Sequence, residues 1–387
     1  EEGYHLLITV DCGISSAALI SEAPKGLDII VTDHHTPPEL LPSCVAVLNP
    51  HQKDCPYPYK ELAGCGVAYT LCRGLYMKRL GRDYDGTVEL AALGTIADVV
   101  SLTGENRILV KEGMKRFIHT PIKGLAALLK ASGIVHDDTT EIRRADQVSF
   151  GLAPRLNAAG RIARASEGVR LMTTESAEEA ERLAQKLCEI NTMRQQIERD
   201  IFEQAKSRMA ELGIENDMAV VVDGKDWHPG VIGIVASRIL ESCHRPVFVI
   251  TVRDGIGKGS CRSIPAFNIY KALSAQSDIL LQFGGHKMAA GFSIAEEKIP
   301  ELRRRMNRYA ASVLTEEDCI PVLDVEEELS LKDVSLDFIH SLDLLEPCGA
   351  DNPKPLFAMN HAFVETARHM GADGRHFKCQ ISGDSGL

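Results

Sequence analysis

The chain has 387 residues, of which 44 % are hydrophobic and 25 % are charged, which indicates a globular protein of two or three domains and argues against disorder. It shows no membrane-spanning apolar segment and no signal peptide, and its eleven cysteines without a CxxC spacing disfavour a disulfide framework, so we expect a cytoplasmic protein. The net charge of −11 does not favour indiscriminate nucleic-acid binding, although a locally basic cleft is compatible with it.

The beginning of the sequence predicts a parallel sheet. Short apolar runs lie at His5–Val10, Leu27–Thr32 and Val45–Leu48. Such runs, separated by helix-length connections, are typical of an α/β domain, in which ligands bind beyond the carboxyl ends of the strands. Asp11 and Asp33 directly follow the first two runs, so we expect both carboxylates at that edge.

Helices and two further segments follow. A second α/β unit begins near Met218 with a strand at Ala219–Val222, and a third segment, from about Pro321, has β character and turn signals. A long helix over Ser176–Leu212, without glycine or proline, is expected to connect domains. Shorter helices are predicted at Gly66–Leu80, Val88–Val100 and Glu105–Phe117.

Candidate metal ligands cluster around the second run. Asp33-His34-His35 places a carboxylate and two imidazoles at its end, and these groups suit Mn²⁺ and similar divalent ions. Asp11 adds a second carboxylate. Asp98 lies in an otherwise apolar helical segment, where a carboxylate is costly unless it is paired or metal-bound. From the residues alone, a polar loop at the strand end and a helix-end cap at Asp98 stay open as alternatives.

The segments around Asp11, Asp33 and Asp98 (VDCG, VTDHH and GTIADVV) resemble motifs II, III and IV of the DHH phosphoesterase superfamily, and the last is particularly similar to RecJ nucleases. The resemblance implies a two-metal site for Mn²⁺ or Mg²⁺, in which Asp11 bridges the ions and His34 and Asp98 complete one site. It also implies that His35 faces the scissile phosphate and that Asp33 orients the histidines.

The superfamily's motif I, an Asp-x-Asp-Gly pair, would precede Asp11 and is missing. We therefore expect the chain to be a fragment without that segment, and to be weakly active or inactive by itself. Asp83-Tyr84-Asp85-Gly86 is similar in sequence, but it follows the DHH motif and is interpreted as a surface turn.

Further segments resemble RecJ, its DHHA1 domain and its OB-type domain. The OB-type segment has Cys348 where an aromatic residue is usual, and we expect this domain to be cut at Leu387. These segments are Phe150–Arg161, Asp226–Arg238, Gly257–Ser263, Gly284–Gly291 and Leu345–Phe357. The resemblance implies substrate contacts by Arg155, Asn157, Arg161, Ser260, Arg262 and His286. Structural alternatives to substrate binding stay open. They are helix packing of the Ala/Gly stretch, plain glycine turns and a core role for Trp227.

The implied architecture is α/β, with two α/β domains expected to face each other across a cleft. Its parts are a parallel-sheet DHH domain (1–150), a connecting segment with the long helix (151–215), a DHHA1 domain (216–315) and a partial C-terminal β, OB-like domain (321–387).

The implied function is metal-dependent 5′→3′ exonuclease action on single-stranded DNA, in DNA repair and recombination. The alternatives are a DHH phosphodiesterase for short oligonucleotides or cyclic dinucleotides, which the long helix and OB-like tail disfavour, and a non-catalytic replication scaffold, which the intact acidic and histidine motifs disfavour. The expected partners are single-stranded DNA and, as candidates, a single-strand-binding protein and a helicase. We expect a monomer and no membrane association.

Overall fold

The computed structural model describes residues 3–136, 138–371, 374 and 376–382. The first part of the chain begins with three strands, continues with helices and ends in a helix of 36 residues. Its elements are β1 (Leu6–Val10), α1 (Ala17–Ser21), β2 (Asp28–Thr32), β3 (Ala46–Leu48), α2 (Gly64–Leu80), α3 (Val88–Asp98), α4 (Gly104–Arg116), α5 (Lys123–Ala131), α6 (Ala145–Gly151), α7 (Ala153–Ile162), α8 (Ser166–Thr173) and the long α9 (Ala177–Leu212), with a 3₁₀ turn at Phe117–His119.

The rest of the chain contains a second sheet with its helices and then shorter strands. Its elements are β4 (Val220–Lys225), α10 (Ile232–Cys243), β5 (Val247–Arg253), β6 (Ile256–Arg262), α11 (Ile269–Ser274), β7 (Leu280–Gly285), β8 (Ala289–Ala295), α12 (Ile299–Val313), β9 (Glu327–Glu328), α13 (Leu336–Leu342), β10 (Phe357–Ala358), β11 (Phe363–Met370) and β12 (His376–Ser382). Four 3₁₀ turns lie between them, at Glu296–Lys298, Glu317–Cys319, Leu331–Asp333 and Asp343–Leu345.

The chain divides into two compact units. The first consists of Glu1–Leu156, Val169–Gln185 and Asp324–Leu387, and the second of Asn157–Gly168 and Lys186–Leu323. The third predicted segment therefore lies in the same unit as the N-terminal sheet. Among the described residues, no helix is long and apolar enough to cross a lipid bilayer.

The predicted parallel sheet is confirmed, with the strands in the order β1-β2-β3. Val31 in β2 is completely buried, which explains why an apolar, β-branched run forms the middle strand. Hydrogen bonds continue beyond the strands, because the Asp11 N–H donates to the Thr32 carbonyl and the Asp33 N–H to the Leu48 carbonyl, both at 3.0 Å. The backbone of both aspartates is thereby fixed at the carboxyl edge of the sheet.

The second unit contains a five-stranded sheet in the order β4-β5-β6-β8-β7. Only β4 and β5 pair in parallel, and the other pairs are antiparallel, so this α/β unit has a mixed sheet. One face packs around the buried Phe248 and Phe267, and the other packs on α9 and α10 around Trp227. Trp227 is therefore a core residue, which was the structural alternative.

The third segment is attached to the N-terminal part of the first unit by polar contacts. The Leu102 N–H donates to the Ala350 carbonyl at 2.8 Å, and Lys354 Nζ contacts Asp146 Oδ2 at 2.6 Å. Arg144 first, and then Lys354, lower the pKa of Asp146 to about 2, so this carboxylate stays ionised over the neutral range. The segment ends in the antiparallel hairpin of β11 and β12.

Candidate metal and phosphate sites

Asp33 is a buried carboxylate that organises the two histidines after β2. Its Oδ1 accepts hydrogen bonds from the His34 N–H at 2.8 Å and from His35 Nδ1 at 2.7 Å, and its Oδ2 accepts one from the Ile14 N–H at 3.0 Å. Burial by itself would raise the pKa of Asp33, but these hydrogen bonds outweigh it and hold the pKa below its ordinary value. An ionised Asp33 fixes the proton of His35 on Nδ1, because a carboxylate only accepts.

Two carboxylates meet at the His34 ring. His34 Nε2 lies 3.0 Å from Asp11 Oδ1 and 3.3 Å from Asp98 Oδ2. This nitrogen is buried and, within the part of the chain that the structure describes, makes no hydrogen bond of acceptable geometry. A buried nitrogen of this kind, facing two carboxylate oxygens, fits a divalent cation better than a hydrogen-bond network. One ligand atom each from Asp11, His34 and His35 also lies within 4.8 Å of the others, so His35 is close enough to join the set.

The charges in this cluster are unbalanced. Burial first, and then the neighbouring Asp98, raise the pKa of Asp11 above its ordinary value. Two carboxylates that share one imidazole repel each other, and a cation between them would relieve the repulsion. The donor set therefore fits a Mn²⁺ or Mg²⁺ ion.

The helix that presents Asp98 ends earlier than predicted. Asp98 is the last residue of α3, and Val99 adopts a left-handed backbone conformation with φ of 59°. The expectation that Asp98 lies inside an apolar helical segment is therefore wrong, because its side chain is 37 % exposed at the helix end. Asp11 also has a positive φ, of 61°. Asp11 thus stands at a left-handed backbone position and Asp98 directly before one, and such positions are common where geometry is set by function.

Residues that sequence reasoning missed support the cluster. Asn49 follows β3, is buried, and donates to the His35 carbonyl at 2.8 Å while its Oδ1 accepts from the His51 N–H at 2.8 Å. Gly64 begins α2, and a Cβ there would lie 2.4 Å from Asp11 Oδ1, so only glycine permits this approach. Polar residues at the ends of all three strands were a signal that pointed to Asn49.

The predicted substrate residues fall into two groups. Ser260 and Arg262, on β6, lie against α10, because a Cβ on Gly233 would be 2.9 Å from Ser260 Oγ and 3.3 Å from Arg262 Nη2. Burial, together with the neighbouring Arg161, lowers the pKa of Arg262 below its ordinary value. Arg161 donates to the Gly230 carbonyl at 3.2 Å, just before α10. These residues surround a helix N-terminus, which is a favourable place for an anion.

The other predicted substrate residues lie on other elements. Arg155 belongs to the first unit and donates to the carbonyls of Gly151 and Ser132. Asn157 is exposed on α7. His286 is exposed in the turn between β7 and β8, where its N–H donates to the carbonyl of Ala289, the strand partner of Arg262.

Two further interpretations of the sequence can be compared with the structure. The Ala/Gly stretch forms α7, in which Ala158 and Ala159 are buried, so these two small residues serve packing. The Asp83–Gly86 segment is an irregular surface segment in which Asp83 pairs with Arg73. The predicted surface location is confirmed, whereas the predicted turn is an irregular stretch of chain.

Three family models match successive parts of the chain. They are the DHH family N-terminal domain at residues 4–96, the DHHA1 domain at 216–312 and the RecJ OB domain at 325–386. The single-stranded-DNA-specific exonuclease RecJ of Haemophilus influenzae is 34 % identical over 407 residues, which cover 100 % of this chain and 70 % of that protein. The chain belongs to the RecJ family.

Other RecJ family members are similar over the same length. The Bacillus subtilis RecJ is 42 % identical, covering 100 % of this chain and 48 % of its own length, and that of Thermus thermophilus is 38 % identical, covering 99 % and 54 %. The chain thus spans about half the length of these two relatives. A crystal structure of the T. thermophilus RecJ in complex with Mn²⁺ matches with a TM-score of 0.85 and 37 % identity, over 99 % of this chain and 57 % of that one.

The hydrogen bond between Asp33 and His35 should be visible in the titration of His35. That hydrogen bond is the largest effect on His35 and raises its pKa above the ordinary value near 6.5. The raised pKa means that the folded state favours protonated His35, so this group contributes to the free energy of unfolding. That contribution is fully present below about pH 6.5 and is lost as the pH rises through the folded-state pKa. We expect Asp33→Asn to return the His35 midpoint towards 6.5 in metal-free protein, measured by NMR with His35→Gln for assignment. Asp146→Asn is the control, and an unchanged midpoint in Asp33→Asn would disprove the coupling.

Proposed function

We propose that this chain is the catalytic part of a metal-dependent exonuclease that hydrolyses single-stranded DNA from its 5′ end. The main support is the buried His34 Nε2, which faces carboxylate oxygens of Asp11 and Asp98 and makes no hydrogen bond within the described residues. The relatives named single-stranded-DNA-specific exonuclease support the substrate class. The 5′ polarity follows from the family resemblance.

In this proposal, Asp11, His34 and Asp98 hold Mn²⁺ or Mg²⁺, as part of a two-metal site. When bound, such ions activate water and stabilise the leaving oxygen of a phosphodiester. Asp33 keeps the His35 ring fixed through Nδ1, which leaves Nε2 to face the scissile phosphate or to reach the ion. The raised pKa of His35 favours its protonated form, which can donate a hydrogen bond to an anionic phosphate oxygen.

We further propose that Arg161, Ser260 and Arg262 hold the 5′ end or a backbone phosphate, with Arg155, Asn157 and His286 as additional contacts. The first three residues lie near the N-terminus of α10, where guanidinium groups and helix N–H groups favour an anion. The proposed domains keep the predicted boundaries of 1–150, 151–215, 216–315 and 321–387.

Loss of the Arg262 guanidinium should weaken DNA binding and flatten its salt dependence. Each phosphate contact on a single strand contributes about 0.7 to the slope of log affinity against log salt. We expect Arg262→Ala to reduce that slope by about this amount in anisotropy titrations made in EDTA at several salt concentrations. Arg253→Ala, which removes an exposed arginine paired with Asp226 at the far end of β5, is the matched control. An unchanged slope in Arg262→Ala would remove this residue from the phosphate site.

A series of substrates of increasing length tests the proposed activity. In Mn²⁺, we expect single strands labelled at the 3′ end to shorten from the 5′ end, and blunt duplexes to resist cleavage. Equal rates on dinucleotides and long strands would instead identify a short-oligonucleotide phosphodiesterase. Absence of cleavage together with absence of metal binding would identify a scaffold.

The cellular setting is part of the same proposal. We propose a monomeric cytoplasmic protein that acts in DNA repair and recombination, with a single-strand-binding protein and a helicase as partners. The eleven cysteines, all present as thiols, agree with a reducing compartment.

A further inference from the structure

A small apolar pocket lies beside the candidate metal ligands in the first unit. Its walls come from the end of α3, from α6 and from the turn at 348–350, and its volume is about 190 Å³. Ile96 and Val99 line one side, Ser149 and Phe150 a second, and Cys348 a third. Val99 directly follows Asp98, so the pocket begins one residue from a candidate metal ligand.

Two apolar side chains at this pocket are unusually exposed. Phe150 has 80 % of its surface in contact with solvent, the largest value among the described phenylalanines, and Val99 has 71 %. Exposed aromatic surface is costly in water, and a contiguous exposed apolar site commonly marks a ligand or partner. Phe150 is also the last residue but one of α6, so its ring is held on a short regular element.

We propose that this pocket receives the base of the nucleotide next to the scissile phosphate, with the base stacked on Phe150. The proposal rests on the proposed function, because it needs a nucleic-acid phosphate at Asp11, His34 and Asp98. Pockets for drug-sized ligands measure about 300–1,000 Å³. The volume here therefore suits a single ring system and not a whole nucleotide.

The charges around the pocket agree with a nucleic-acid ligand. The carboxylate in its lining is Asp146, whose negative charge is balanced by ion pairs with Arg144 and Lys354. Because those cations compensate it, a DNA strand that crosses the pocket would not meet an isolated negative charge.

The chemistry of the walls also predicts how the base is recognised. They are mostly apolar, and the Thr95 hydroxyl donates its proton to the Ala91 carbonyl at 2.7 Å. Few polar groups are left to read the edge of a base, whereas every base offers a face for stacking. The pocket should therefore accept all four bases with similar affinity.

The test combines a Phe150 variant with single abasic positions in the DNA. A 5′-phosphorylated single strand with non-hydrolysable phosphate linkages is bound in Mn²⁺ and followed by fluorescence anisotropy, with an abasic residue placed at each of the first positions in turn. We expect Phe150→Ala to weaken binding of the intact strand about tenfold. An abasic residue at one position should weaken binding to the unchanged protein by the same factor as Phe150→Ala. In the Phe150→Ala protein, the same abasic residue should cause no further loss of affinity. Phe150→Tyr should bind normally, as should Ile108→Ala, which truncates an exposed apolar residue on α4.

The outcomes separate this proposal from the proposed function. If the losses from Phe150→Ala and from the abasic residue add at every position, or if Phe150→Ala binds normally, the base site is disproved. The proposed exonuclease activity would not be affected by that result and would be judged by cleavage of single strands in Mn²⁺. If one position shows the coupling but Mn²⁺ supports no cleavage, the base site is supported and the proposed activity fails.

Discussion

Replacement of His34 by alanine should abolish tight Mn²⁺ binding by this chain. His34 Nε2 is the central atom of the cluster, since it contacts both the Asp11 and the Asp98 carboxylates. Loss of a residue that merely supports a ligand typically costs 10–100-fold in metal affinity, so loss of this ligand should cost at least about 100-fold. Titration calorimetry with Mn²⁺ measures the effect, and cleavage of single-stranded DNA should fall with it.

A second histidine provides the control for that experiment. His51 lies after β3 and contacts Glu61 at 3.9 Å, outside the cluster around His34. His51→Ala should therefore keep the Mn²⁺ affinity of the unchanged protein. Unaltered affinity in His34→Ala, with a folded protein by circular dichroism, would show that the metal site lies elsewhere.

Replacement of Trp227 by alanine should destabilise the second unit by about 3–5 kcal/mol, the usual cost of removing a buried large aromatic side chain. The ring is only 5 % exposed, and its Nε1–H donates to Gln204 Oε1 at 2.9 Å. The backbone carbonyl of Trp227 also accepts from Thr251 Oγ1 at 2.7 Å. Urea unfolding followed by circular dichroism gives the free energy of unfolding.

Trp227→Phe is the matched control for Trp227→Ala. It keeps most of the apolar contacts and loses the hydrogen bond to Gln204, so it should cost much less than alanine. A cost below about 1 kcal/mol for Trp227→Ala would contradict a core role. Trp227 is the single tryptophan, and its intrinsic fluorescence should not be quenched by single-stranded DNA, because bases cannot stack on a buried ring.

The sequence predicted the strand ends well because they follow from a simple rule. Apolar β-branched runs form the strands, and the first polar residue after each run must lie at the carboxyl edge of the sheet. Asp11 and Asp33 obey that rule, and the same rule applied to the third strand would have found Asn49.

Other features depend on backbone details that residue patterns do not encode. The apolar residues around Asp98 predicted a helix through Val100, but the left-handed conformation of Val99 ends α3 at Asp98. No sequence pattern singles out Gly64, although its missing side chain admits the Asp11 carboxylate. Similarly, Phe150 begins the RecJ-like segment Phe150–Arg161, and only the fold shows that its ring faces solvent.

The left-handed conformation of Val99 has opposite effects on thermal stability and on activity. A β-branched side chain in a left-handed conformation costs about 1–3 kcal/mol, and glycine would adopt that conformation freely. Selection for heat resistance would therefore favour glycine at position 99. The same change would loosen the backbone that aims Asp98 at His34 and would remove a wall of the adjacent pocket. A change at position 99 that raises stability should therefore lower turnover, which is the usual trade-off at residues whose strain is fixed by function.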